Sequence, residues 1–193
     1  AALWQELITE WSSRFAVKEL GKTEEGRPIH EVRYGEGPIQ VIAWSQMHGN
    51  ESTTTKALFD FIKFISQKEF FQNEIKRFLE HYSFYILPML NPDGAEIYTR
   101  ENANKIDLNR DAQDLSQKES DALKTVFDKV LPDLCLNLHD QRSIYGLENG
   151  LAATVSFLAP SADEKRSLTK AREVAMSHIV GLNRMLQEEL PGH

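Results

Sequence analysis

One short segment constrains this chain more than any other. The apolar run Val41-Ile42-Ala43-Trp44 has the composition of a buried strand, and soon after it comes Met47-His48-Gly49-Asn50-Glu51. A His and a Glu three positions apart, just past a strand end, can both turn toward one point. An imidazole nitrogen and a carboxylate oxygen suit Zn²⁺, which in hydrolytic sites commonly takes three protein ligands and keeps one position open. The pair alone is a frequent coincidence, so its meaning depends on the rest of the chain.

The surrounding sequence alternates two periods. Leu3, Trp4, Leu7, Ile8 and Trp11 form a helical stripe over 3–15. Residues 15–20 and 29–34 read as strands joined by the turn Thr23-Glu24-Glu25-Gly26-Arg27-Pro28, which predicts a hairpin. The buried strand spans 39–44. Helices follow over 52–66 and 70–79, then a strand over 84–87 that stops at Pro88. Ser116-Gln117-Lys118-Glu119 matches a capping box opening a helix to about Val130. Strands are expected over 134–138 and 153–158, and a long helix from Pro160 to about Leu190. This order predicts a single α/β domain with a mixed central sheet flanked by helices. Ligands in such sheets gather at the carboxyl ends of strands. The segment His48–Glu51, the loop after Pro88 and His139 all fall there.

Composition excludes several classes. A net charge of −7 with no basic stripe argues against nucleic acid as a partner. No apolar run approaches a membrane span, and no signal-peptide pattern opens the chain. Cys135 is the single cysteine, so neither an internal disulfide nor a cysteine-based metal cluster is available. Between Leu134 and Leu136 it reads as a buried structural thiol. A lone thiol leans toward the cytoplasm without proving it. Oligomeric state is not encoded legibly.

Two further groups of residues carry chemistry. His139 ends a strand, and with His48 and Glu51 it completes a His₂Glu set, two ligands close in sequence and a remote third. The aperiodic stretch 88–114 contains Asn91-Pro92-Asp93-Gly94, Arg100 and Asp107-Leu108-Asn109-Arg110-Asp111. Asn-Pro-Asp-Gly is an ordinary turn former. Arg holds a carboxylate bidentately and keeps its charge, so an Asn-Arg pair beside a metal can grip a peptide's terminal carboxylate, and a separate Arg can stabilise an oxyanion. The blander alternative pairs Arg100 and Arg110 with Glu101, Asp107 or Asp111. Asp140 is either a partner that orients a ligand or a surface carboxylate.

These motifs, His48-x-x-Glu51, Asn91-Pro92-Asp93-Gly94, Arg100, Asp107-Leu108-Asn109-Arg110 and Leu138-His139, resemble the M14 (funnelin) zinc metallocarboxypeptidases and occur in that family's order. The resemblance implies Zn²⁺ held by His48, Glu51 and His139, with Arg100 stabilising the oxyanion. Asn109 and Arg110 would bind the free C-terminal carboxylate of a peptide substrate. The reaction implied is removal of the C-terminal residue by a metal-bound water.

The family also carries a late glutamate as general base and a substrate-covering tyrosine. Glu148 and Tyr145 come too early to match, and Glu164, Glu173, Glu188 and Glu189 read as exposed helix charges. The expectation is therefore a domain truncated at its C-terminus, without its base. Two alternatives stand beside this reading. One is a zinc amidohydrolase of the aspartoacylase or succinylglutamate-desuccinylase type, which is similar in His-Gly-Asn-Glu and Asp-Leu-Asn-Arg. The other is a non-catalytic zinc- or peptide-binding module.

Overall fold

The computed structural model describes residues 15–66, 70–140, 155–161 and 163–189, together with Trp4 and Thr9. They fall into two compact units, Ala1–Asp140 and Gln141–His193.

The described residues of the first unit form five strands: β1 (Ala16–Lys22), β2 (Pro28–Tyr34), β3 (Ile39–Ser45), β4 (Tyr82–Leu87) and β5 (Leu134–Leu138). Their spatial order is β1-β2-β4-β3-β5. The predicted hairpin forms, with β1 antiparallel to β2 and β2 antiparallel to β4. Strand β3 runs parallel to both β4 and β5. The mixed sheet is the one expected, and its three parallel strands end at one edge.

Besides the helical Trp4 and Thr9, the described residues of this unit form four helices: α1 (Thr53–Ser66), α2 (Gln72–His81), α3 (Pro92–Glu96) and α4 (Lys118–Val130). Side-chain alternation along β3 explains the layering. Val41 and Ala43 join a core cluster with Leu58, Phe59, Ile62 and Ile65 of α1 and Ile75 of α2. Ile42, between them, joins a second cluster with Leu87, Leu108, and Ala122 and Val126 of α4. A strand buried on both faces reads as a continuous apolar run. Each buried Val, Leu, Ile or Phe side chain, removed from water, contributes roughly 1.5–3 kcal/mol.

Several expectations need correction. The helix predicted from Ser116 starts at Lys118 with Gln117 as its N-cap. The carboxylate of Asp111 accepts the backbone N–H of Ser116 and of Gln117, each at 3.0 Å, so Asp111 organises this entry. Glu119 is buried instead of completing a capping box. Cys135 is exposed, not buried. It lies on the outermost strand, whose leucines pack against the α1–α2 cluster while Cys135 and Asn137 line the exposed side. Short α3 occupies part of a stretch that showed no period.

In the second unit, Val155–Leu158 forms no strand, and 153–154 lie outside the described residues. Helix α5 (Lys170–Glu189) begins ten residues beyond Pro160 and buries no residue. Glu164, Glu173, Glu188 and Glu189 are exposed, as expected. Glu148 and Tyr145 lie outside the described residues, as does most of the predicted 3–15 helix, although Trp4 and Thr9 are helical. Among the described residues no helix is long and apolar enough to cross a membrane.

Candidate metal centre

The segment carrying His48 and Glu51 is seated on the Asn91–Gly94 turn. Asn91 is fully buried and acts as the N-cap of α3, accepting the Gly94 N–H at 2.8 Å. Its own amide donates to the Met47 carbonyl at 3.2 Å, one residue before His48. Gly49 lies directly against this turn. A Cβ on it would stand 2.0 Å from the Gly94 carbonyl carbon and 2.3 Å from the Ala95 nitrogen, so no side chain fits. Asp93, also buried, reaches to the β1–β2 turn. It accepts from Thr23 Oγ1 at 2.7 Å, the Glu25 N–H at 3.1 Å and Arg27 Nη1 at 2.8 Å. The turn expected to be merely a turn thus joins the hairpin to the loop.

His139 arrives from the neighbouring strand. Parallel pairing sets Ser45 opposite Leu138, so the residues after each strand leave the sheet side by side. His48 Nδ1 lies 2.8 Å from Glu51 Oε1, and His139 Nδ1 lies 2.7 Å from Glu51 Oε2. The donor atoms of the three residues all fall within 4.8 Å of one another. His48 is 2% exposed. Asp140 does not orient a histidine. Its carboxylate accepts the N–H groups of Thr53 at 3.0 Å and Thr54 at 3.1 Å, holding the start of α1, and its own N–H donates to Glu51 Oε2 at 3.3 Å.

Asp107 plays the orienting part. Its Oδ1 lies 3.1 Å from His48 Nε2 and accepts the Asn109 N–H at 2.9 Å. Its Oδ2 accepts from Arg100 Nε at 3.1 Å and Nη2 at 3.0 Å. Arg100 Nη1 is left 3.2 Å from His48 Nδ1 and 3.6 Å from Glu51 Oε1. The Asn109 amide lies 3.3 Å from His139 Nε2, and its oxygen accepts from Asn137 at 3.3 Å. Five of the six predicted residues therefore meet. Arg110 is adjacent in the chain and exposed, and its side chain has no partner among the described residues. Asp111, offered as a partner for an arginine, is buried under Ser116 and Gln117 instead.

Charge follows this geometry. Burial pushes the Glu51 carboxyl up, but hydrogen bonds from His139 and His48 outweigh it and hold the group well below the usual carboxylate range. Burial likewise raises Asp107, and the Asn109 N–H, His48 and Arg100 more than reverse it. Each ring nitrogen of His48 thus faces a carboxylate, and with a metal on the Glu51 side Asp107, which only accepts when ionised, would take the Nε2 proton in a hydrogen bond and leave Nδ1 as the ligand atom. Two imidazole nitrogens and a carboxylate, one ring so braced, make a donor set that suits zinc. Sequence reasoning missed the bracing role of Asp107. The available signal was its place two residues before Asn109, where an Asp side chain turns back on the backbone.

An α/β domain with a His, Glu, His cluster at the carboxyl edge of its parallel strands defines the class. The chain belongs to the zinc carboxypeptidase family, whose model matches residues 1–130. The match stops short of His139, whose placement is known from the structure. Carboxypeptidase E of Caenorhabditis elegans is 32% identical over 117 residues, covering 50% of this chain and 25% of that protein. Carboxypeptidase M of Mus musculus is 26% identical over 187 residues, covering 83% and 42%. The chain thus spans less than half the length of these relatives. A metallo-carboxypeptidase from Burkholderia cenocepacia superposes with a TM-score of 0.64 at 22% identity, covering 73% of this chain and 40% of that one. One from Pseudomonas aeruginosa, in complex with (2-guanidinoethylmercapto)succinic acid, superposes at 0.63 with 24% identity, covering 72% and 39%. The fold is the expected one.

Proposed function

We propose that this chain carries the zinc-binding part of a metallocarboxypeptidase that removes the C-terminal residue of peptides. The observation that carries the reading is the approach of His48 Nδ1 and His139 Nδ1 to the two oxygens of one carboxylate, Glu51. His48, Glu51 and His139 hold the metal. Zinc, when bound, supplies a Lewis acid that polarises a carbonyl and lowers the pKa of water.

The remaining roles belong to the protein's own groups. Arg100 is held by Asp107 through two N–H groups, leaving Nη1 beside Glu51 as a donor for a developing oxyanion. Arg110, exposed and unpaired among the described residues, supplies the charge for a free terminal carboxylate, and Asn109 supplies an amide next to it. The substrate is a peptide, or peptide-like molecule, with a free C-terminal carboxylate. The Asn91–Gly94 turn, which braces the ligand loop here, favours this reading over the amidohydrolase one.

The test compares turnover by the full-length protein of a peptide with a free C-terminus, the same peptide amidated, and an N-acyl amino acid. Hydrolysis of the first alone is expected, with loss in His48→Ala and Arg100→Ala. Preferential hydrolysis of the N-acyl amino acid would contradict the reading, and so would peptide binding with no hydrolysis.

A further inference from the structure

We infer that Gln46 is a positioning residue for the metal-ligand loop, its side-chain amide setting the geometry of His48 and Glu51 before any metal arrives. The inference rests on the zinc reading above. Gln46 follows the last residue of β3 with φ of 50°, in the left-handed region that glycine enters freely and glutamine does not. It is 4% exposed. Its Nε2 donates to the Gly49 carbonyl at 2.8 Å, and its Oε1 accepts from Thr55 Oγ1 at 2.9 Å. A carbonyl can only accept, so the orientation of the amide is determined.

The two partners stand on either side of Glu51. Gly49 lies between the ligands, and Thr55 lies in the first turn of α1. One buried amide therefore ties together the loop holding both ligands. The left-handed turn at Gln46 brings the side chain back over its own loop, and the Gln46 carbonyl accepts the Asn91 N–H at 3.1 Å to hold that turn. The Glu51 N–H donates to the His48 carbonyl at 3.1 Å, completing a loop with little freedom. Metal affinity depends on such bracing beyond the ligands themselves.

The experiment compares Gln46→Gly with Gln46→Met, His139→Ala and Tyr34→Phe. Glycine keeps the backbone turn and removes the amide. Methionine keeps the bulk and loses both hydrogen bonds. Tyr34→Phe removes a buried hydrogen bond to the Ile65 carbonyl elsewhere in the core. Two readouts are taken: zinc affinity by competition with a chromophoric chelator, and amide hydrogen exchange over Gly49–Thr55 in metal-free protein. Both Gln46 variants are expected to bind zinc about ten- to a hundredfold more weakly, with faster exchange across the loop, while Tyr34→Phe changes thermal stability alone. Unchanged affinity and unchanged exchange in a folded Gln46→Gly or Gln46→Met protein would overturn the inference. Equal zinc binding by wild type and His139→Ala would instead defeat the zinc reading, and the metal-free exchange would still decide whether Gln46 holds the loop.

Discussion

His48 Nε2 and the Asp107 carboxylate face each other at 3.1 Å, which turns the other ring nitrogen, Nδ1, toward Glu51. The two residues are 59 positions apart, so the brace exists only in the folded chain. It comes from the loop that also carries Arg100 and Asn109, and Asp107 touches both.

Removing this brace gives a first prediction. Asp107→Ala should weaken zinc binding about ten- to a hundredfold, as loss of a carboxylate behind a ligating histidine typically does. Asp107→Asn should fall between the two, because its amide oxygen can still accept. Equilibrium competition for zinc reads both.

The contact between Gly49 and the Gly94 backbone gives a second. Gly49→Ala has to displace main chain, since the added carbon would stand 2.0 Å from Gly94. A loss of about 1–3 kcal/mol is expected, typical of overpacking. Gly21→Ala, where nothing lies within 4 Å, is the control and should be close to neutral. Urea denaturation of the two variants measures the difference.

Asp93 should mark the acid limb of stability. Burial pushes its carboxyl up, but Arg27, Thr23 and the Glu25 N–H hold it below the usual range. A folded pKa below the unfolded one contributes stability that is present above about pH 3.9 and lost as pH falls through the folded value. Asp93→Asn should therefore be less stable at neutral pH, by about 1–3 kcal/mol for buried donors left poorly paired. Its stability should also decline less steeply on acidification, which denaturation at a series of pH values would show.

Glu119 should behave in the opposite sense. It is 1% exposed, with Oε1 unpartnered among the described residues. Burial raises its pKa, and the nearby charge of Asp93 adds to this against the Asn102 amide. The folded state then holds the proton more tightly than the unfolded state. That stabilisation is present below about pH 4.3 and is lost as pH rises through the raised value. Glu119→Gln, neutral at every pH, should be more stable than wild type at neutral pH and similar in acid. The same denaturation series tests it.

Much of this was legible in the sequence because the signals are local. Strand β5 lies where the apolar run 134–138 predicts it, and β3 ends one residue beyond its predicted limit. His48, Glu51 and His139 could be grouped because each follows a strand, and parallel strands carry their ends to one edge. What could not be read depends on distant contacts. The turn at Gln46 is decided by Gly49, Thr55 and Asn91, and no propensity announces a left-handed glutamine. Short α3 begins Pro92-Asp93-Gly94, residues that read as a turn until Asn91 caps them. Apolar content alone predicted a strand over 153–158, but Val155 and Leu158 are 52% and 87% exposed, with no ladder to join among the described residues.

Arg110 separates binding from folding. It is exposed and makes no side-chain bond among the described residues, so Arg110→Gln should leave thermal stability unchanged. Affinity for a peptide with a free C-terminal carboxylate, the substrate class proposed above, should fall roughly tenfold or more, the loss of one charge-assisted contact. Isothermal titration of the zinc-loaded protein measures it.

The central claim is that His48, Glu51 and His139 share one zinc ion, and anomalous diffraction at the zinc edge from soaked crystals addresses it most directly. The account predicts a single strong peak about 2.0–2.2 Å from His48 Nδ1, His139 Nδ1 and a Glu51 oxygen. A map with no peak among these atoms, or with its only strong peak on other side chains, would contradict it.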